Sequence, residues 1–173
     1  PAQAKVAAIT GSNGKTTTTA WLGHIMEQSG ANVRVGGNIG VGAGRLLLGP
    51  AADIYVLEVS SYQLEFCPSF RPHVAVLTNI TPDHLDRYGS MQAYAASKAR
   101  IFERCEHAVL NLDDPLVARM LPSGPAVSGF SIASVSGARY HLATVQGAKW
   151  LAIDAEPVMA LREMRLGGLH NAA

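Results

Sequence analysis

The chain has 173 residues, 48% of them apolar, and its 14 basic and 13 acidic side chains leave a net charge of +1. That length suits one ordinary domain with a sizeable core. The near-neutral balance, with no Lys/Arg run, excludes a protein held to nucleic acid or to an anionic membrane surface by charge.

In chain order, Lys5–Thr10 (KVAAIT) reads as a short buried strand. Residues 16–29 read as a helix, with Trp21, Leu22, Ile25 and Met26 on one face and Gly30 as its stop. Residues 32–35 read as a strand that runs into the glycine-rich GGNIGVGAG, and residues 54–59 and 73–77 read as two further strands. Ser90 caps a helix over residues 91–104. His107–Asn111 is the next strand, residues 115–120 a short helix and residues 126–130 another strand. Residues 139–145 and 149–153 flank Gln146-Gly147-Ala148 as a hairpin, and residues 162–166 add a further strand before Gly167-Gly168. Strands separated by helices predict one α/β domain. Its sheet is expected to be mostly parallel with helices on both faces, a P-loop-type nucleotide-binding fold, with a small antiparallel section near the C-terminus.

Other features narrow the class. Only 16% of residues are charged, against roughly a quarter in an average domain, so other parts of a protein are expected to cover some of the surface. Two cysteines, Cys67 and Cys105, make no disulfide framework and suit a reducing cytosol. No apolar run approaches a membrane span, and the opening PAQAKVAAIT lacks the parts of a signal peptide.

The segment ITGSNGKTTTT carries the first chemistry. The common phosphate-loop pattern G-x-x-x-x-G-K-[ST] wants a glycine where Ile9 stands, and the nearest is Gly11. A strand ending at Thr10, a glycine turn and a helix starting near Lys15 still make an anion site. Amides at a helix start lack partners, and the helix dipole favours negative charge there. Gly11 and Gly14 allow close approach, Lys15 reaches outer phosphates, and Thr16 offers a hydroxyl to Mg²⁺. Ser12, Asn13 and Thr17 complete the candidate ATP loop. The alternative is a chance turn into a helix, against which the flanking strand and helix argue. The missing glycine then means a tighter loop.

Ligands of parallel sheets sit outside the carboxyl ends of the strands. There the chain delivers EVSSYQLE, TNITPDHLDRY and NLDD. Glu58 lies among Val56, Leu57 and Val59, so it is either a buried carboxylate serving a metal ion or a strand-end residue in water. A lone histidine such as His84 is more often structural, and Asp83 beside it is a candidate orienting group. Asp113 and Asp114 read as turn residues and helix caps. Lys98 shares a helical stripe with Met91, Tyr94, Ala95, Ile101, Phe102 and Cys105. It either snorkels to water or is held in a site. Burial and nearby cations favour its neutral amine, which can react with carbon dioxide to give a carbamate.

TGSNGKTTTT, GGNIG, EVSSYQLE, TNITPDHLDRYGSMQAYAASKARIF, NLDD and GGLHNAA together resemble the central domain of the Mur ligases, ATP-dependent amide-bond-forming enzymes of bacterial cell-wall synthesis. GGNIG with SSYQLE is most similar to members that add D-glutamate to UDP-N-acetylmuramoyl-L-alanine. The tripeptide-forming relative and folylpolyglutamate synthase stay open as alternatives, and so does a non-catalytic nucleotide-binding module. The family's loop has glycines placed like Gly11 and Gly14, so Ile9 is normal for it. The resemblance implies roles. Lys15 and the loop hold ATP phosphates, and Asn171 meets the adenine. Thr16 and Glu58 serve one Mg²⁺, while His84 and carbamylated Lys98 serve a second. Asn38, Ser60, Gln63 and His84 meet the nucleotide-sugar substrate, and Lys15, His84 and Lys98 are the catalytic set. The family's G-x-H-N-x-x-N motif would end one residue past Ala173, and the chain opens on Pro1. Residues 1–173 are therefore expected to be the excised ATP-binding middle of a three-domain, cytoplasmic, monomeric ligase. An N-terminal UDP-binding and a C-terminal amino-acid-binding domain would flank it, and the middle alone would be inactive.

Overall fold

The computed structural model describes residues 4–120 and 122–164. Among the described residues nine strands form one sheet in the order β2-β3-β1-β4-β5-β6-β7-β8-β9. They are β1 Lys5–Thr10, β2 Val33–Gly37, β3 Ile54–Glu58, β4 Val74–Leu77, β5 His107–Asn111, β6 Ala126–Ser131, β7 Tyr140–Val145, β8 Ala148–Ile153 and β9 Glu156–Ala160. Every pair from β2 across to β7 is parallel, and β7-β8-β9 are antiparallel. The expected fold class is the observed one.

The helices are α1 Lys15–Gln28, α2 Ala43–Leu47, α3 Ser61–Phe66, α4 Leu85–Tyr88, α5 Met91–Ala99 and α6 Pro115–Ala118. Successive strand residues face opposite sides, and the core divides accordingly. Ile9, Val33 and Val56 pack with Leu22 and Met26 of α1. Ala8, Leu57, Leu77 and Leu110 pack on the other side with Leu64, Tyr94, Ile101 and Phe102. Helices thus cover both faces, which is why parallel strands tolerate near-continuous apolar runs.

Three expectations shift. The inner face of α1 is Thr19 and Gly23 with Leu22 and Met26 beside them, while Ile25 is 51% exposed. The reason is close packing on β2: a Cβ on Gly23 would lie 2.3 Å from a methyl of Val35. The helix capped by Ser90 stops at Ala99 and tightens into a 3₁₀ turn over Arg100–Phe102. The strand expected over residues 162–166 lies earlier, at Glu156–Ala160, because a two-residue turn at Asp154-Ala155 folds the chain straight back onto β8. Leu161–Glu163 is a 3₁₀ turn. Residues 165–166 of that expected strand, Gly167-Gly168 and Asn171 lie outside the described residues.

The direction of chain travel reverses between β1 and β4. β1 leads through α1 to β2 on one side, and β4 adds on the other. Such a reversal opens a crevice at the strand ends, and the loop after β1 opens into it.

Candidate active site

The loop between β1 and α1 is braced from β4's side. Ser12 N–H donates to the Asn79 carbonyl at 2.9 Å, and Asn13 N–H to Asn79 Oδ1 at 2.9 Å. Asn79 Nδ2 and Thr78 Oγ1 donate to the Asn13 carbonyl at 3.0 and 2.8 Å. Thr81 N–H donates to Ser12 Oγ at 3.0 Å, and Asn13 Nδ2 to Thr81 Oγ1 at 3.0 Å. Ser12 and Asn13 therefore hold the loop's shape, and their amides are engaged within the protein. Gly14 takes the left-handed conformation at φ 79° that starts the helix. The first amide of α1 to reach back is Thr18 N–H, on the Gly14 carbonyl at 3.0 Å, so the amides of Lys15, Thr16 and Thr17 form the helix's open positive end. The Lys15 ammonium curls over the loop and donates to the Ser12 carbonyl at 2.8 Å.

Glu58 ends β3 one strand away and is 2% exposed. Thr16 Oγ1 donates to its Oε2 at 2.7 Å, and Asn38 Nδ2 to its Oε1 at 2.9 Å. Both donors are neutral. An ionised carboxylate has about four acceptor sites, so capacity remains for a cation. Glu58 is therefore buried and not a strand-end residue in water. Asn38 thus orients Glu58. Ser60 and Gln63 form a capping box at the start of α3: Ser60 N–H donates to Gln63 Oε1 at 2.9 Å, and Gln63 N–H to Ser60 Oγ at 3.2 Å.

Lys98 is 2% exposed, so its amine does not snorkel. Its Nζ donates to the Gly11 carbonyl at 2.8 Å and lies 4.8 Å from the centre of the Tyr94 ring. Desolvation pulls its pKa down to about 8; the neighbouring Lys15 charge pushes the same way, and Asp83 opposes both. Burying an ammonium costs several kcal/mol unless it is well partnered. One carbonyl and an aromatic face are modest compensation. Two mutually repelling lysines at one loop make a place for an anion.

His84 takes the left-handed conformation at φ 51° just before α4, and its side chain is 41% exposed. Its amide donates to Asp83 Oδ1 at 2.9 Å, while its ring lies 5.1 Å from Tyr62 and 6.1 Å from Tyr94, centre to centre. The Tyr94 hydroxyl in turn meets Ser12 Oγ at 3.3 Å. Glu58 and Lys98 thus reach the loop through Thr16 and Gly11, while His84 stands beside Tyr94 without a hydrogen bond to the loop. Asp113 and Asp114 are structural. Asp114 accepts from Leu116, Val117 and Ile80 amides, and Asp113 from Ser131 and the Ile132 amide.

Among the described residues no group of three His, Cys, Asp or Glu side chains gathers as a metal cluster. Magnesium fits the site in another way. It takes oxygen donors and binds through one or two carboxylates together with substrate phosphates, and Thr16 and Glu58 offer that donor set at the mouth of the loop.

The profile of the Mur ligase middle domain matches residues 9–172. The chain belongs to that family. A UDP-N-acetylmuramoylalanine--D-glutamate ligase from Methylococcus capsulatus is 43% identical over 171 residues, which covers 99% of this chain and 37% of the relative. A solved UDP-N-acetylmuramoyl-L-alanyl-D-glutamate--2,6-diaminopimelate ligase superposes with a TM-score of 0.79 at 25% identity, over 97% of this chain and 40% of its own. A MurF ligase from Thermotoga maritima in complex with ADP has a TM-score of 0.68 at 25% identity, over 88% and 39%. The chain therefore spans well under half the length of the curated relatives it matches.

In this Mur ligase middle domain, sequence reasoning had not singled out Thr78, Asn79 and Thr81, the braces of the loop. Their signal was present, since polar side chains directly follow an apolar strand. It needed the knowledge that β4 lies beside β1.

Proposed function

We propose that this Mur ligase middle domain is the ATP-binding centre of a longer enzyme that joins D-glutamate to UDP-N-acetylmuramoyl-L-alanine through an acyl phosphate. The printed activity of the 43% identical relatives supports the substrates. The observation that carries the chemistry is the buried Lys98 amine on the Gly11 carbonyl of the loop that also bears Lys15.

In this reading Gly11 to Thr17 cradle ATP. The amides of Lys15, Thr16 and Thr17 take phosphate oxygens, and Lys15 swings from the Ser12 carbonyl to the transferring group. Asn171 meets the adenine. Ser60, Gln63, Asn38 and His84 line the approach of the nucleotide sugar. Its carboxylate attacks the γ-phosphorus in line, and ADP leaves. The D-glutamate amine then attacks the acyl carbon, loses a proton, and phosphate departs with the oxygen that had attacked. Two anions must approach each other, so neutralising charge and fixing geometry is the protein's main work. Thr16 and Glu58 would hold one Mg²⁺, and His84 with carbamylated Lys98 a second, whose charge supports that approach. The N-terminal UDP-binding and C-terminal amino-acid-binding parts belong to the longer protein, which works as a monomer in the cytoplasm. The unpaired Cys67 and Cys105 are consistent with a reducing compartment.

The test uses the full-length protein with Mg-ATP and UDP-N-acetylmuramoyl-L-alanine, offering amino acids one at a time. Phosphate release that requires both the nucleotide sugar and D-glutamate is the expected result. Release supported equally by another amino acid would reassign the acceptor, and ATP binding without acceptor-dependent release would leave only a nucleotide-binding module.

A further inference from the structure

His84 sits on a weak element. Its backbone is left-handed, a conformation that costs a non-glycine residue roughly 1 kcal/mol. The helix it opens, Leu85–Tyr88, has four residues, too few to hold itself in water. Within it, only Arg87 and Tyr88 N–H reach the His84 carbonyl, both at 3.1 Å, and Gly89 N–H the Leu85 carbonyl at 2.8 Å. Asp83 holds the imidazole from one side, its Oδ2 3.5 Å from Nε2, but it precedes the same short turn and cannot fix the turn against α3.

Arg87 supplies that tie. Its Nη2 donates to Glu65 Oε2 at 2.6 Å, and Glu65 belongs to α3, the helix capped by Ser60 and Gln63. The same guanidinium lies 4.6 Å from the centre of the Tyr62 ring, also on α3, and 5.7 Å from that of Tyr88. Tyr62 then meets the His84 ring edge-on at 5.1 Å. One planar cation is thus hydrogen-bonded to a carboxylate and stacked on the ring that touches His84. Arginine suits both contacts at once, and lysine does not. Because Glu65 engages it, the guanidinium is no free anion receptor.

We infer that Arg87, clamped by Glu65 and stacked on Tyr62, is a positioning residue that locks His84 in register with the Ser60–Gln63 end of α3. Its effect on turnover rests on the ligase reading proposed above. The ion pair is partly open to water, with side chains 43% and 24% exposed, so it adds little to stability. Breaking it moves the imidazole without unfolding the domain.

The test compares the full-length protein with its Arg87→Ala, Arg87→Lys and Glu65→Gln variants. Three readings are taken: kcat and KM for phosphate release, NMR of protein labelled at histidine, and melting temperature. For Arg87→Ala, kcat falls about 10- to 100-fold, as misplacement of a reacting-site group does. KM for ATP holds, the His84 ring resonance shifts, and melting drops by less than about 4 °C. Arg87→Lys recovers only part of the rate, and Glu65→Gln shifts the same resonance in the same direction. An unmoved His84 resonance with unchanged kcat in Arg87→Ala overturns the inference. If Arg87→Ala melts far lower, Glu65→Gln decides, and an unmoved resonance there overturns it equally. Wild-type protein that releases no phosphate would defeat the ligase reading, while the resonance would still decide the clamp.

Discussion

Lys98 shows what a single side chain can say. Its position on an apolar stripe of α5 is readable from helical spacing alone, because Tyr94, Ala95, Ile101 and Phe102 recur with it on one face and all are buried. What the spacing could not decide was whether the amine turned outward or inward. That depends on the Gly11 carbonyl, a partner 87 residues away. Replacing Lys98 by alanine is expected to lower turnover by about 100-fold or more, in the range seen when a charge-stabilising donor is lost, while ATP affinity stays close to wild type. Equal loss of both, measured by steady-state kinetics and equilibrium binding, would make the lysine structural. The depressed pKa adds a second expectation. The amine is mostly an ammonium below pH 8 and mostly neutral above it. Only the neutral form attacks carbon dioxide, so a carbamate signal from ¹³C-bicarbonate should grow as the pH rises through about 8 and be missing from Lys98→Ala. The same shift makes the buried charge a cost to folding below pH 8 that is relieved as the pH climbs toward 10.5.

At the scale of elements, all strands but β9 were legible, while α2, α3 and α4 were not. β1 and β5 run where apolar runs bounded by polar or glycine residues place them. Helices α2, α3 and α4 have four to six residues, less than two turns, so no periodicity exists to find. Their sequence traces are local instead, as with Ser60 and Gln63 three apart as a capping box. The misassigned face of α1 teaches the same lesson from the other side. Trp21 and Ile25 carry more apolar surface, but Gly23 allows the helix to lie close on β2 and so chooses the buried side. Gly23→Ala should then destabilise the domain by about 1–3 kcal/mol, the usual range for overpacking, despite alanine's better helix propensity. Urea unfolding measures it, and an unchanged or raised midpoint would show that α1 has room to shift.

For the whole molecule, the parallel sheet with its reversal between β1 and β4 puts the loop, the end of β3 and the segment after β4 around one crevice. A parallel sheet implied that these segments share one end, but which strands are neighbours could not be read from chain order. That topology brings residues scattered from Gly11 to Lys98 to one end of the sheet. In the proposed reaction the domain supplies the phosphate end, so the 173-residue chain should bind Mg-ATP yet add no D-glutamate by itself; measurable product from it would refute the division of labour. The central claim is that a substrate carboxylate captures the γ-phosphoryl group. It is tested most directly with the full-length protein and UDP-N-acetylmuramoyl-L-alanine carrying ¹⁸O in its carboxylate. Mass spectrometry of the released phosphate should find one ¹⁸O in each phosphate formed, because the attacking oxygen leaves with it. Unlabelled phosphate accompanying amide product would contradict the acyl phosphate and the mechanism built on it.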